Sequence, residues 1–259
     1  MKAFFFDIDE TLLDHVTWTI PESAQSAIRR LHENGHLVYL NSGRSGSEMG
    51  NVTPLITSLP LDGIILGDGI ETFRHGERVH AAYLDSDAVA PFLTRLAEEK
   101  IVYRWQADTE LHFAVAPDEA TRQALAWLFG ACPDVKPWQG QPLLRVVMYA
   151  TAEQVTRLQG EFPTLRMSDQ GHDVVNVTDP TVGKAAAMLN EAARCGIAQE
   201  DIVAFGDGLI DCEMLKAAGL GIALGNANAQ TKYAADEVTE DLTQDGIYNA
   251  CLRHGWIGE

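Results

Sequence analysis

Cationic side chains are scarce in this chain: 19 Lys and Arg stand against 37 Asp and Glu, a formal charge of −18 over 259 residues. A surface that acidic disfavours non-specific attachment to nucleic acid or to an anionic membrane, so neither is expected as a partner. Cysteine is sparse as well. Cys132, Cys195, Cys212 and Cys251 lie far apart without a CxxC spacing, which argues for reduced, mostly buried thiols rather than a disulfide framework. No apolar run approaches the length that spans a bilayer. The single Lys and three Phe ahead of Asp7 are too few for a secretory leader. A cytoplasmic protein is expected. Internal repeats and low-complexity tracts are absent too. What is present is ample core material, 46% apolar residues with an ordinary 22% charged. Length alone leaves open one large α/β domain or a core with an insertion.

The most informative stretch is the first. Ala3-Phe4-Phe5-Phe6 is too short for a free-standing helix and reads as a strand buried on both faces of a parallel sheet. It ends in Asp7 and Asp9, with Thr11 two residues further on. In an open α/β sheet the carboxyl ends of the strands border the ligand crevice, so both acids arrive where chemistry takes place. Two carboxylates so spaced repel each other, and such a pair persists most readily with a divalent cation or with one acid protonated. A merely polar strand end with a Thr cap is the competing explanation.

A helix is predicted from Pro21 to Glu33, with Ala24, Ala27, Ile28 and Leu31 on its apolar stripe and Asn34-Gly35 as its stop. The buried strand His36–Leu40 follows, completing a βαβ unit with a right-handed crossover. A helix is also expected over Glu48–Ser58, weakened by Gly46, Gly50 and Pro54. A third strand covers Asp62–Leu66, ahead of a hairpin at His75-Gly76. From about Leu84 to Val177 strands pair apart from helices, the texture of a compact α+β module. The α/β pattern resumes with a helix opened by Gly183-Lys184. A strand over Asp201–Phe205 then delivers Gly206-Asp207-Gly208, and a further strand runs over Leu220–Leu224. Residues 1–83 and 179–259 thus form one core, interrupted by an insertion over 84–178.

Four stretches carry the chemistry. In Asp7-x-Asp9-x-Thr11, one carboxylate can attack phosphorus while the second protonates the leaving oxygen and later deprotonates water. Ser42-Gly43-Arg44, at the end of the second strand, offers a hydroxyl and a backbone N–H suited to a phosphoryl oxygen. Taken alone, an ordinary strand-to-helix turn is the commoner explanation, and Arg44 could equally be a surface ion-pair partner. Lys184 sits just inside a helix N-terminus, where a cation is unfavourable unless an anion is near; a solvated surface lysine is the bland alternative. Gly206-Asp207-Gly208-x-x-Asp211 puts an acid at another buried strand end. Any one of these is weak alone, and the four together are strong.

The combination resembles the haloacid dehalogenase superfamily of phosphohydrolases, most closely its Cof-like sugar-phosphate phosphatases, whose cap is inserted between the second and third motifs. The resemblance implies an α/β fold, a Rossmann-like parallel-sheet core with an inserted α+β cap domain. It makes Asp7 the nucleophile and a metal ligand. Asp9 becomes the general acid/base, binding the metal through its backbone carbonyl, and Asp207 completes the Mg2+ site. The Ile8 N–H, Thr11, Ser42, Gly43 and Lys184 would hold the phosphoryl group, supported by Asp211, Arg44 and Asn226. The implied reaction is magnesium-dependent hydrolysis of small phosphorylated metabolites, sugar phosphates foremost, by a monomer or small homo-oligomer. The alternatives are a phosphotransferase or phosphomutase on the same scaffold, or a weakly active phosphate-ester-binding regulatory protein. In the cap, Arg104, Trp105, His112, Arg145 and Asn176 are candidates for reading the leaving group. Each also has a plain structural explanation: Trp105 as cap core, Arg104 and Arg145 as solvated strand faces. Three positions depart from the family pattern. Glu10 stands where Gly is frequent, Asp68 where Asn is usual, and Ile210 replaces an Asn that contacts the phosphate.

Overall fold

Three phenylalanines set the centre of the larger sheet. In the computed structural model, which describes residues 1–171 and 173–258, β1 (Ala3–Phe6) is buried at every position. The first unit comprises Met1–Ser45, Val52–His80 and the chain from Gly183 onward. It continues through α1 (Glu22–Glu33), β2 (Leu37–Asn41), α2 (Thr53–Ile56), β3 (Gly63–Leu66), β4 (Glu71–Arg74) and β5 (Glu77–Ala81). The second unit comprises Gly46–Asn51 and Ala81–Val182. It holds α3 (Ser86–Glu98), β6 (Val102–Gln106), β7 (Leu111–Phe113), α4 (Glu119–Phe129), β8 (Arg145–Tyr149), α5 (Ala152–Glu161), β9 (Arg166–Asp169) and β10 (Val174–Thr178). The chain then returns to the first unit with α6 (Lys184–Arg194), β11 (Ile202–Gly206), α7 (Cys212–Ala217), β12 (Leu220–Ala223), α8 (Ala229–Ala234), β13 (Glu237–Val238) and α9 (Gly246–Arg253).

The first unit's sheet runs β13-β12-β11-β1-β2-β3-β4-β5. β1 pairs in parallel with β2 on one side and β11 on the other. Strands buried on both faces need apolar side chains at every position, which explains the uninterrupted Phe run. Phe5 stacks on Tyr39 of β2 and Phe6 on Phe205 of β11, each with ring centroids 4.9 Å apart. α1 buries the four residues that its periodicity marks, Ala24, Ala27, Ile28 and Leu31. The parallel order places the ends of β1, β2 and β11 side by side, and each ends in a polar residue group.

The helix expected over 48–58 does not form. The segment folds instead as a single 3-10 turn, Gly46–Glu48, and the one-turn α2, with Pro54 in its first turn. Two glycines disfavour a continuous helix, and Pro is tolerated only in a first turn. Glu48 is consequently buried rather than displayed on a solvated helix face.

The second unit carries an antiparallel sheet of order β7-β6-β8-β10-β9. Strand alternation divides its residues between two faces. Trp105, Val146, Met148, Val175 and Val177 point into an apolar core with Phe92 and Leu96 of α3 and Leu158 of α5. Arg104, Gln106, Arg145, Asn176 and Thr178 lie on the other face and are buried as well. Among the described residues no helix is long and apolar enough to cross a membrane.

Candidate active site

β1 delivers Asp7 directly beyond Phe6, and β11 delivers Asp207 beside it, through the backbone bond from the Asp7 N–H to the Phe205 carbonyl. The chain turns sharply after Asp7, the Ile8 carbonyl accepting from the N–H groups of Leu12 and Leu13. That turn carries Thr11 back, and its hydroxyl donates to Asp207 Oδ1 at 2.6 Å. Lys184, in the first turn of α6, donates through Nζ to Asp7 Oδ1 at 2.6 Å and to Asp211 Oδ1 at 2.7 Å. It is 3% exposed, so the solvated-lysine alternative fails.

Asp211 folds back over the end of β11. Its Oδ2 accepts from the N–H groups of Asp207 and Gly208 at 3.1 and 2.9 Å. The close approach requires glycine at position 206, because a Cβ there would sit 2.6 Å from the Asp211 Cβ.

Four acids around one ammonium carry surplus negative charge. Burial, then the Asp211 charge, push the Asp7 carboxyl well above its ordinary value against the pull of Lys184. Burial raises Asp207 to about 7, although the Thr11 hydroxyl works in the opposite direction. Burial disfavours the charge on Lys184, but Asp211, Asp7 and Asp68 outweigh it and hold the ammonium protonated. One oxygen from each of Asp7, Asp207 and Asp211 lies within 4.8 Å of the others. Hard anionic oxygens gathered this closely suit a divalent cation. Asp211 already has both oxygens committed, which leaves Asp7 and Asp207 the freer donors.

The Asp9 carboxylate stands outside that cluster. Arg44 grips it with two bonds, Nε to Oδ2 at 2.8 Å and Nη2 to Oδ1 at 2.6 Å, and His15 Nε2 reaches Oδ1 at 2.7 Å. Burial alone would raise this carboxyl, yet the bonds from Arg44 and His15 bring it down to about 2. Ser42 and Gly43 follow β2, and both Ser42 and Arg44 are buried. The Ser42 Oγ accepts from the Arg44 N–H at 3.2 Å. Asn226 ties two loops together, donating to the Glu10 carbonyl at 2.8 Å and accepting from the Leu242 N–H at 3.0 Å.

The family model for haloacid dehalogenase-like hydrolases matches residues 4–251. The chain belongs to this family. YkrA of Bacillus subtilis (strain 168) is 28% identical over 261 residues, spanning 99% of this chain and 98% of that protein. The HMP-PP phosphatase of Cronobacter sakazakii is 26% identical over 242 residues, spanning 87% of this chain and 84% of that one. Among solved structures, a subclass IIB sugar phosphatase of the superfamily superposes with a TM-score of 0.90 at 25% identity, covering 99% of this chain and all 100% of that one.

Two of the three departures from the family pattern converge on one point of this hydrolase. A Cβ built on Gly43 would meet Asp68 Oδ1 at 3.0 Å and Ile210 Cδ1 at 3.5 Å. An apolar branch and a carboxylate therefore flank the loop that would hold a phosphoryl group. The third departure has a backbone meaning. Glu10 adopts φ 58°, the left-handed region where glycine is at ease and other residues pay about 1–2 kcal/mol. Its carboxylate accepts from the His15 N–H at 2.9 Å, a bond glycine could not make.

The cap candidates sort by sheet face. Trp105 is core, its indole N–H donating to the Lys136 carbonyl at 2.8 Å. His112 lies against it, ring centroids 5.2 Å apart. Arg104 and Arg145 are not solvated strand faces: they converge on Glu48, Arg104 Nη1 at 2.6 Å and Arg145 Nη2 at 2.5 Å. Gln106 accepts from Arg145 Nε at 2.8 Å. Asn176 is buried on β10, opposite Val147 and Ser168. Sequence reasoning missed His15 and Glu48. Nothing marks His15 beyond its closeness to Asp9. Glu48 was hidden by its assignment to a helix.

Proposed function

We propose that this phosphatase hydrolyses small phosphorylated metabolites, with sugar phosphates as the substrate class, through an aspartyl-phosphate on Asp7 and with Mg2+ as its cation. The observation that carries the reading is the pair of bonds from Lys184 to Asp7 and Asp211, made across 177 and 27 residues of chain. Mg2+ held by Asp7, Asp207 and the Asp9 carbonyl would neutralise the negative charge that otherwise keeps a phosphate dianion from a carboxylate.

In the first step an Asp7 oxygen attacks phosphorus, the bond to the leaving oxygen breaks, and Asp9 supplies that oxygen with a proton. In the second step Asp9 takes a proton from water, the water oxygen attacks the phosphorus, and phosphate leaves Asp7 regenerated. The Ile8 N–H, Ser42, Gly43 and Lys184 would hold the phosphoryl oxygens, with Thr11 fixing Asp207 and Asp211 fixing Lys184. With its carboxyl held at about 2, Asp9 is ionised, the form that serves the second step. The first step needs its proton, so Arg44 must exchange its two bonds to Asp9 when substrate enters.

The decisive experiment follows phosphate release across a panel of phosphorylated metabolites with and without Mg2+. Release that depends on Mg2+ and disappears in Asp7→Asn is expected; release without metal, or surviving in Asp7→Asn, refutes the reading. Ile210 beside Gly43 supports a second reading, binding with slow turnover. That reading holds if esters bind without release and Ile210→Asn fails to restore it.

A further inference from the structure

One histidine joins the Asp9 carboxylate to Glu10, the residue beside it that departs from the family pattern. His15 Nε2 meets Asp9 Oδ1 at 2.7 Å, and on the other edge of the ring Nδ1 lies 3.3 Å from Glu10 Oε1. Glu10 also accepts from the His15 N–H at 2.9 Å. Trp18 lies nearly parallel on the imidazole, ring centroids 5.0 Å apart. The ring is thus held at both nitrogens and on one face. Its side chain is 16% exposed, so water competes little for these contacts.

The backbone is bent to make them. Glu10 and Trp18, which both touch the His15 ring, stand at φ 58° and 54°. The left-handed region is uncommon for any residue but glycine, and an outlier for one as bulky as Trp. Such strain persists only where the surroundings impose it, and it gathers at functional sites. The loop that carries His15 is closed independently of Arg44. The Asp14 N–H donates to the Thr19 carbonyl at 3.0 Å and the Trp18 N–H to the Asp14 carbonyl at 2.7 Å. The Asp14 carboxylate accepts from the Val16 N–H at 2.8 Å and the Thr17 hydroxyl at 2.7 Å.

Arg44 cannot hold Asp9 throughout the reaction, because a guanidinium only donates and its two bonds occupy both carboxyl oxygens. His15 touches Oδ1 alone. Among the described residues Oδ2 is held only by Arg44 Nε. Once Arg44 releases it, Oδ2 can carry the proton while Oδ1 stays fixed by the imidazole.

We propose that His15 is a positioning residue: braced by Glu10 and Trp18, it keeps the Asp9 carboxyl aimed at the leaving oxygen when Arg44 lets go. The proposal rests on the phosphatase reading and names what keeps its acid in place. It also gives Glu10 a purpose, since glycine at position 10 would suit the backbone but leave the imidazole edge unbraced.

The test compares two substrates on one protein sample: the alkyl phosphate ester cleaved fastest in the metabolite panel, and p-nitrophenyl phosphate. Nitrophenolate departs without a proton, whereas an alkoxide needs one from Asp9. The value of kcat/KM covers the steps through departure of the leaving group, and the alkyl-to-aryl ratio does not depend on how much of a variant is folded. In His15→Ala that ratio should fall about tenfold or more, because a misplaced acid forfeits much of the roughly 10²–10⁴-fold that general acid catalysis contributes. His15→Gln, whose amide can donate to the same oxygen without giving up a proton, should restore most of the ratio. Glu10→Gly keeps the ring, removes its brace and relaxes the backbone, so it carries the test if His15→Ala does not fold; its ratio should fall too, by a smaller factor. An unchanged ratio in His15→Ala or Glu10→Gly, or no recovery in His15→Gln, overturns the proposal. Failure of the wild-type chain to release phosphate from any ester refutes the phosphatase reading and this role together. Release from both esters with an unchanged ratio in the variants refutes the role of His15 alone.

Discussion

Replacing Lys184 with Met, which is close to it in length, removes the only ammonium in contact with Asp7 and Asp211 among the described residues. The Lys184 side chain is 1% exposed, and the two carboxylates it bridges are 6% and 0% exposed. Breaking a buried pair by removing one partner costs about 3–5 kcal/mol, because the remaining charge stays desolvated. Here two carboxylates are stranded, and Asp207 adds to the repulsion. In EDTA near neutral pH, urea unfolding should therefore show Lys184→Met less stable by about 3–5 kcal/mol. The penalty must depend on pH in a definite direction. A carboxyl whose folded value lies above its ordinary 3.8 stabilises the fold below 3.8 and gives that up as pH climbs through the folded value. Removing the ammonium raises Asp7 further, so the difference between variant and wild type should be smallest at about pH 4 and larger at a second pH above the folded Asp7 value. Divalent cation should act oppositely: Mg2+ at about 100 times its Kd adds about 2.7 kcal/mol to any chain that binds it. The variant, one positive charge poorer, should bind it more tightly. A loss under about 1 kcal/mol, or a loss equal at both pH values, would refute the electrostatic account of the cluster.

The wild-type chain in EDTA should itself lose stability as pH rises from about 4 to about 7, the interval over which Asp207 ionises in the fold, with Mg2+ abolishing the slope; a flat profile in thermal melts counts against it. Ile210→Asn should raise kcat/KM by up to about a hundredfold if the restored amide reaches the phosphoryl group, and an unchanged or lower value would show that Ile210 does not limit turnover. Arg44→Gln should cost about 1.5–3 kcal/mol, the worth of hydrogen bonds to an ionised carboxylate. Because Asp9 sits at about 2, that cost should be present above pH 3.8 and vanish as pH falls through 2, measured by denaturant unfolding across the acid range.

The site was legible where residue type and strand ends coincide. Asp7 and Asp207 each follow an apolar run too short for a helix, and a parallel sheet brings such ends to one rim. Lys184 could be picked out because a cation at a helix N-terminus demands an explanation. The register that seats Phe5 on Tyr39 and Phe6 on Phe205 follows from the same apolar runs. What stayed hidden depends on side-chain reach across the chain. The grip of Arg44 and His15 on Asp9 is a matter of rotamers, and no spacing rule encodes it. The burial of Arg104 and Arg145 could not be read from alternation, which predicts a face but not what covers it. Glu48 was obscured by a helix signal that Gly46, Gly50 and Pro54 defeat.

The six residues Gly46–Asn51 interrupt the first unit immediately after Ser45, yet they belong to the second. They supply the one carboxylate that Arg104 and Arg145 share. An excised polypeptide running only from Ala81 to Val182 would leave both guanidinium ions without it. Anyone transplanting this insertion onto another hydrolase must therefore move two separate pieces of chain. A protein assembled from the longer piece alone carries a stranded charge where its host expects an ordinary sheet face.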